Sequence, residues 1–372
     1  MPIRTQHGFT LVELMISLII ASIVVTGALA VLTTTERASR ANHQAIQTQQ
    51  NVRTAMDLLV NDLKVAGFGA TIPVGNCRVS VNGEILPAPI LPGDQNPTGT
   101  DTGPDRISVI VPVSSSQPAW TLASATGNGF SQLTLTAGAT AAMQTAGLIP
   151  GNTTANVISI GGVMTVQVQS VTGNTVTLTT PVPAPATFAA NVPIYLLQCI
   201  TYQVIQAPDP NQLCAGTTPC LVRGVTTATA PLNCDIPTSP CTAVVDGIED
   251  LQLAFGCDGC NAAVHSGTAD RIIDDQGTLD NAVTDTDFVS NTTWTTSPML
   301  PASIRLVRVG LLSKQTRQDQ GFGEAAQAST NSTGTYNISL NNDHPITITA
   351  TETQYRRRTL LRTIDLRNAG LS

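Results

Sequence analysis

The sequence is poor in charged and aromatic residues, and one long stretch carries no charge. Only 12% of its 372 residues are charged and 3% are aromatic, and about 25% charged is usual for soluble domains. Residues 107–208 contain no Asp, Glu, Lys or Arg. With a net charge of −7 the chain has no basic field to attract phosphates, which argues against a nucleic-acid partner.

The sequence also lacks the short motifs by which several enzyme classes are recognised. No GxSxG, HExxH or P-loop pattern occurs. The histidines are scattered, and neither His265 nor His344 has a partner that the sequence can identify. We therefore expect no catalytic residues and no enzymatic activity.

The cysteines favour disulfides formed outside the cytoplasm, since their number, eight, is even and several lie close together. The CxxC of residues 257–260 also allows a metal site or a redox pair, but no second CxxC and no βαβ pattern accompany it. The pairs that we expect are three local ones and a long-range one: Cys214–Cys220, Cys234–Cys241, Cys257–Cys260 and Cys77–Cys199.

An Asp-rich stretch at residues 270–287 is the one candidate for calcium binding. Carboxylates such as Asp285 and Asp287 are ligands that Ca²⁺ favours, but the spacing does not match a calcium-binding loop with its closing Glu. A surface loop is the preferred interpretation. We expect no metal or cofactor, with calcium as the alternative.

The longest apolar run, residues 9–32, contains a single acidic residue, Glu13. As a helix it measures about 36 Å, enough for a bilayer core of about 30 Å. Residues 1–8 contain Arg4 and no acid, so the N-terminus is predicted to face the cytoplasm. Neither a signal peptide nor a plain anchor explains Glu13, because a carboxylate in hydrocarbon is costly and usually paired.

Helical periodicity continues beyond the apolar run and gives way to strand patterns. Residues 33–66 contain no Pro or Gly, and Gly67 is a plausible stop. One apolar stripe recurs at helical spacing: Val52, Met56, Leu59, Leu63 and Ala66. Strands are predicted within residues 107–113, 131–136 and 195–205, and residues 163–180 read as a hairpin turning at Gly173-Asn174.

Residues 8–14 (GFTLVEL) resemble the processing motif of type IV prepilins and of the related pseudopilins of type II secretion. The resemblance implies that prepilin peptidase cleaves between Gly8 and Phe9 and methylates Phe9 at its new N-terminus. It also implies that Glu13 pairs with the N-terminal amine of a neighbouring subunit. That cation would offset the buried carboxylate and set the stagger between subunits.

Four further segments, residues 51–68, 245–255, 304–317 and 357–368, resemble the PilW family of minor pilins. The resemblance implies a structural subunit in a priming or tip complex of the type IV pilus. Its partners would be other minor pilins, the major pilin, prepilin peptidase and the inner membrane. The head would be periplasmic before assembly and on the cell surface afterwards.

The implied fold is α+β and pilin-like, a long N-terminal helix packed on a mostly antiparallel β head with long loops and disulfides. The expected divisions are a leader (1–8), a transmembrane helix (9–32), its amphipathic continuation (33–67) and the head (68–372). Two alternatives stay open. One is a J-like type II secretion pseudopilin, and the other is an adhesin or ligand-binding module displayed on a pilin anchor.

Acidic and basic residues are concentrated in different parts of the second half of the chain. Residues 235–287 are rich in acids, and residues 356–358 are three consecutive arginines. Opposite patches can steer the docking of subunits. The alternative, which we favour, is that these charges are solvated or pair within the head.

Overall fold

A computed structural model describes most of the chain. The described residues are 10–93, 103–113, 120–149, 151–206, 209, 212–216, 218–234, 240–261, 269–274, 283–290, 292–317, 335–336, 346–347 and 355–366. Gly8, Phe9, His265 and His344 lie outside them, as do residues 275–282 of the Asp-rich stretch.

One long helix, α1 (Leu11–Lys64), precedes a head whose described regular elements are nearly all strands. The first elements of the head are β1 (Arg78–Val81), β2 (Glu84–Pro87), β3 (Ile90–Gly93), β4 (Arg106–Pro112), β5 (Trp120–Thr121), β6 (Thr126–Gly127), β7 (Gln132–Thr134), α2 (Ala139–Thr145), β8 (Val157–Ile160), β9 (Met164–Thr172), β10 (Thr175–Leu178) and β11 (Thr187–Phe188). The later ones are β12 (Pro193–Ile205), β13 (Cys220–Thr226), β14 (Cys241–Asp246), β15 (Ile248–Cys257), β16 (Ile304–Lys314), β17 (Thr335–Tyr336), β18 (Ile346–Thr347) and β19 (Arg357–Asp365), with 3₁₀ turns at Asp285–Asp287 and Pro301–Ser303.

Helix α1 has 54 residues, a length of about 81 Å. It begins two residues after the expected start because Thr10 is extended and serves as the N-cap. It ends two residues before Ala66 because Val65 leaves the helical conformation. Gly67 then turns the chain with φ +76°, a conformation that favours glycine, and its N–H donates to Ile110 O at 2.8 Å.

The second half of α1 packs under the head, as its apolar stripe predicted. The buried side chains on this half are Val52, Ala55, Met56, Leu59, Val60 and Leu63, and Ala66 follows them. They join one apolar core with Ile107 of β4, Leu253 of β15 and Val309 of β16. Because the stripe recurs every three to four residues, one helix face is buried and the opposite face stays polar.

The head contains a large antiparallel sheet and a smaller one. The large sheet runs in the order β14-β13-β12-β8-β9-β10-β7, with β3, β4 and β5 also paired into it. The smaller sheet has the order β15-β16-β19. Strand β12 crosses the head, pairing with β13 and β4 in one half and with β8 and β5 in the other. The strands expected from the sequence are all present, and the hairpin β9-β10 turns at residues 173–174.

The uncharged stretch forms a lobe with its own apolar core, inserted between β4 and β12. Members of this core are Trp120, Leu122, Leu133, Leu135, Met143, Ile158, Val166, Val176 and Ile194. None of the described core residues of this lobe belongs to the core that buries α1. The stretch without charges therefore contains a folded unit, which we call the uncharged lobe (described residues within 113–196).

A partly buried polar cluster joins α1 to the large sheet. The hydroxyl of Tyr202 donates to Asp62 Oδ2 at 2.6 Å, and Arg223 Nε lies 3.3 Å from the same oxygen. Arg223 Nε also donates to the Tyr202 oxygen at 3.2 Å. The register of β12 and β13 places Tyr202 opposite Arg223, so two adjacent strands bind one residue of the helix. Burial, and then the charge of Asp62, raises the pKa of Tyr202.

The structure pairs all eight cysteines as the sequence analysis expected. Cys77–Cys199 joins the segment after α1 to the middle of β12 across 122 positions. Cys214–Cys220 and Cys234–Cys241 close short loops beside β13 and β14. The long-range bridge ties the chain near the end of the helix to the strand that crosses the head.

The disulfides are expected to stabilise the head unequally. In a chain-entropy account, removing Cys77–Cys199 by Cys77→Ala/Cys199→Ala lowers the free energy of unfolding by about 5 kcal/mol, and Cys214→Ala/Cys220→Ala lowers it by about 2 kcal/mol. Urea unfolding of the full chain in detergent measures both values, and the second pair is the matched control. Equal losses would contradict a long-range role for Cys77–Cys199.

The Tyr202 cluster is expected to lose strength at alkaline pH. The folded state holds the Tyr202 proton more tightly than the unfolded state does. The stabilisation that Tyr202 gives to the fold is therefore complete below the ordinary tyrosine pKa of 10.0 and falls as pH rises above it. Near neutral pH, Tyr202→Phe is expected to cost about 1.5–3 kcal/mol, the value of a hydrogen bond to a charged group. Urea unfolding at rising pH measures the free energy of unfolding of both proteins. The difference in this free energy between wild type and variant narrows by about 1.4 kcal/mol for each pH unit above 10. A constant difference would refute this linkage.

Candidate filament-assembly segment

The first half of α1 presents an apolar surface that nothing in the described part of the subunit covers. Residues 10–40 are all exposed, and large side chains such as Leu11 (75% exposed) and Val31 (67%) face outward. By length and composition this helix can cross a membrane. An apolar surface of this extent is unfavourable in water, so it requires lipid or other subunits around it.

Hydroxyl side chains within this apolar half are satisfied by the helix itself. Ser17 donates to Leu14 O at 2.9 Å, Ser22 to Ile19 O at 2.7 Å, and Thr26 to Ser22 O at 2.7 Å. Such bonds to the preceding turn leave few polar groups unpaired when the helix is surrounded by hydrocarbon. The one ionisable side chain in the described part of the run, Glu13, needs a separate explanation.

Glu13 closes a capping box at the start of α1. Its carboxylate accepts hydrogen bonds from the backbone N–H and the hydroxyl of Thr10, at 3.0 and 2.9 Å. In return the Thr10 hydroxyl accepts from the backbone N–H of Glu13 at 3.3 Å. These bonds satisfy free N–H groups at the helix end, and the carboxylate is also favourably placed at the positive end of the helix dipole.

The capping box gives Glu13 a role inside its own subunit that the sequence analysis missed. The signal was present, because a Thr followed three residues later by Glu before an apolar run is typical of a helix start. Only Thr10 and Glu13 are brought together here. Gly8 and Phe9, the residues predicted to be processed, lie outside the described residues. Pairing of Glu13 with another subunit's amine stays a prediction.

Charged residues of the head pair with one another in the described part of the chain. Arg357 binds both carboxylate oxygens of Glu249, at 2.6 and 2.9 Å, and Lys314 lies 3.4 Å from that carboxylate. Arg308 lies 2.7 Å from Asp285. For these residues the interpretation of pairing within the head, rather than docking between subunits, is confirmed.

Among the residues that the structure describes, one group of side chains has ligand atoms close enough to hold a metal ion. The sulfur atoms of Cys257 and Cys260 and a carboxylate oxygen of Asp274 lie within 4.8 Å of one another, and all three residues are buried. The two sulfurs are bonded to each other, and Asp274 Oδ2 accepts from Asn261 N–H at 2.6 Å. The disulfide interpretation of this CxxC agrees with the structure. The expectation that the protein needs no metal or cofactor stays a prediction.

Comparisons with known families match the two ends of the chain. The family described as Type IV Pilus-assembly protein W matches residues 212–368, and the prokaryotic N-terminal methylation motif matches residues 3–29. Searches of curated proteins and of solved structures find no match. The segments 245–255, 304–317 and 357–368 lie within the first match, whereas residues 51–68 and the uncharged lobe lie outside both.

The first match spans β13 to β19, including the small sheet and all three residues that pair around Glu249: Glu249, Lys314 and Arg357. The second match, residues 3–29, includes Glu13 and most of the apolar run. Together the matches support a type IV pilus minor pilin of the PilW family.

Proposed function

We propose that this minor pilin acts in a priming or tip complex of the pilus, after cleavage between Gly8 and Phe9 and methylation of Phe9. Before assembly the exposed half of α1 lies in the inner membrane and the head lies in the periplasm. During assembly the same half enters the filament core beside the helices of other minor pilins and the major pilin. Glu13 then binds the N-terminal amine of a neighbouring subunit.

The observation that carries this proposal is the division of α1 into two halves. Residues 10–40 are exposed, whereas the buried stripe and the Asp62–Tyr202–Arg223 cluster hold the second half to the head. Because the second half of α1 is packed on the head, the position of the N-terminal half in the filament core fixes the position of the head. The subunit is therefore built to join an assembly through its N-terminal half.

The size of the head supports a position at or near the tip. The uncharged lobe adds a separately packed unit to a head that already carries the family-matched sheet. Shaft subunits are packed against neighbours above and below, and a bulky lobe fits best where nothing stacks on top. The alternative of a J-like type II secretion pseudopilin shares the N-terminal segment, but the PilW match favours the pilus.

Removal of the Glu13 charge is expected to block incorporation while leaving processing intact. Glu13→Gln is the sharpest change, because Gln at this position still completes a capping box. If Glu13 binds a buried amine, the variant's copy number in sheared filaments falls at least tenfold, since breaking a buried ion pair costs about 3–5 kcal/mol. Quantitative mass spectrometry of filaments and of the envelope fraction measures both pools.

Glu36→Gln is the matched control, because Glu36 is an exposed acid on the same helix and lies 3.5 Å from Arg40, four residues on. We expect it to be incorporated normally. If Glu13→Gln filaments contain as much of the protein as wild type, Glu13 has no assembly role beyond its helix cap.

The tip position predicts where the protein lies on a filament. Antibodies raised against the uncharged lobe are expected to label one end of sheared pili in electron micrographs, and antibodies against the major pilin to label the shaft. Labelling distributed along the shaft would rule out a role confined to the tip.

A further inference from the structure

The outer face of the uncharged lobe is a regular array of hydroxyl and amide side chains. The register of β7, β10 and β9 aligns Thr134, Thr175 and Thr172 in one row, and Gln132, Thr177 and Ser170 in the next. Val176 and Leu133 alternate with them and face the core of the lobe. Alternation along a strand therefore puts all six polar side chains on the outward face.

This face is open in the part of the chain that the structure describes. Gln132, Thr134, Ser170 and Thr172 are exposed, and the two threonines of the central strand β10 are half-buried. Neighbouring side chains are about 4.8 Å apart across strands and about 6.7 Å apart along them. The register shift after Thr177 limits the regular array to these two rows.

An exposed aromatic ring lies at one end of the array. The backbone bond from Leu178 N–H to Ser131 O continues the pairing of β7 with β10 one residue beyond Gln132. Phe130 comes immediately before Ser131, next to this end of the array, and it is 52% exposed. Solvent exposure of a large aromatic ring is unfavourable, and here it borders a polar surface without any charged residue.

From these features we propose that the outer face of β7, β10 and β9 binds a flat, ribbon-like, uncharged polysaccharide. Hydroxyl and amide groups both donate and accept hydrogen bonds, as sugar hydroxyls do. An exposed aromatic ring stacks on the apolar face of a pyranose ring. Residues 107–208 contain no charge that would select a charged polymer. The two rows of polar side chains can contact successive sugar units of an extended chain. This binding does not depend on the proposed assembly role.

The test is a pull-down of the full chain in detergent with two neutral ribbon-like polysaccharides, microcrystalline cellulose and chitin. Insoluble polygalacturonate serves as an anionic comparison. The assay is run at about 0.5 M NaCl, where charge interactions reach only a few ångströms. We expect binding to at least one neutral polysaccharide, unaffected by salt, and none to polygalacturonate.

Two variants localise the binding to this face. Thr175→Lys/Thr177→Lys and, separately, Phe130→Ala are each expected to weaken binding about tenfold or more, the effect of losing one or two direct contacts. Thr175→Ser/Thr177→Ser keeps the hydroxyls and is expected to retain binding. Thr359→Lys/Thr363→Lys, on exposed positions of β19, adds the same charge elsewhere and is the matched control. Thermal unfolding checks that every variant is folded.

Three outcomes would overturn the proposal. The wild-type chain could bind neither cellulose nor chitin, its binding could be confined to polygalacturonate, or the lysine and alanine variants could bind as well as wild type. If the face instead packs against another pilin, Thr175→Lys/Thr177→Lys lowers incorporation into filaments while wild type shows no polysaccharide binding. That result would also reject the proposal, whereas the Glu13→Gln test is unaffected by any of these results.

Discussion

The structure depends on one constraint: the first half of α1 carries an apolar surface that cannot remain in water. Residues 10–40 are exposed in the subunit, so this half must lie in a bilayer or among other helices. Glu13 is the single acidic residue of the apolar run 9–32, and Thr10 already satisfies part of its hydrogen-bonding capacity. A charge held at the helix N-terminus in this way remains available to a cation from another subunit.

The head is organised to hold the other half of the same helix. Its main core is formed by the apolar stripe of α1 and both sheets, and Asp62 adds a polar contact to Tyr202 and Arg223 on two adjacent strands. Cys77–Cys199 fastens the segment that follows the helix to β12. The family match covers the sheet on one side of this junction, and the uncharged lobe has a separate core. The lobe also contacts the segment after the helix, where the Thr71 N–H donates to Thr165 Oγ1 at 2.9 Å.

Most of the fold follows from local patterns in the sequence. The 3.6-residue stripe predicted which side chains of α1 are buried, and two-residue alternation predicted β9 and β10 with their turn at residues 173–174. The cysteine pairs followed from short spacings and from elimination of the remaining two. The contact between Asp62 and Tyr202 spans 140 positions, and no local signal predicts contacts at that separation. The separate core of the uncharged lobe was missed because its strands have the same composition as other buried strands.

The central claim is that the exposed half of α1 is the part by which this protein enters a filament. Mass spectrometry of filaments sheared from the native host tests it most directly, by searching for the protein's N-terminal peptide. The account predicts a small amount of peptide beginning at N-methylated Phe9, together with peptides from the head. Filaments free of this protein, with its processed form retained in the envelope, would contradict the account.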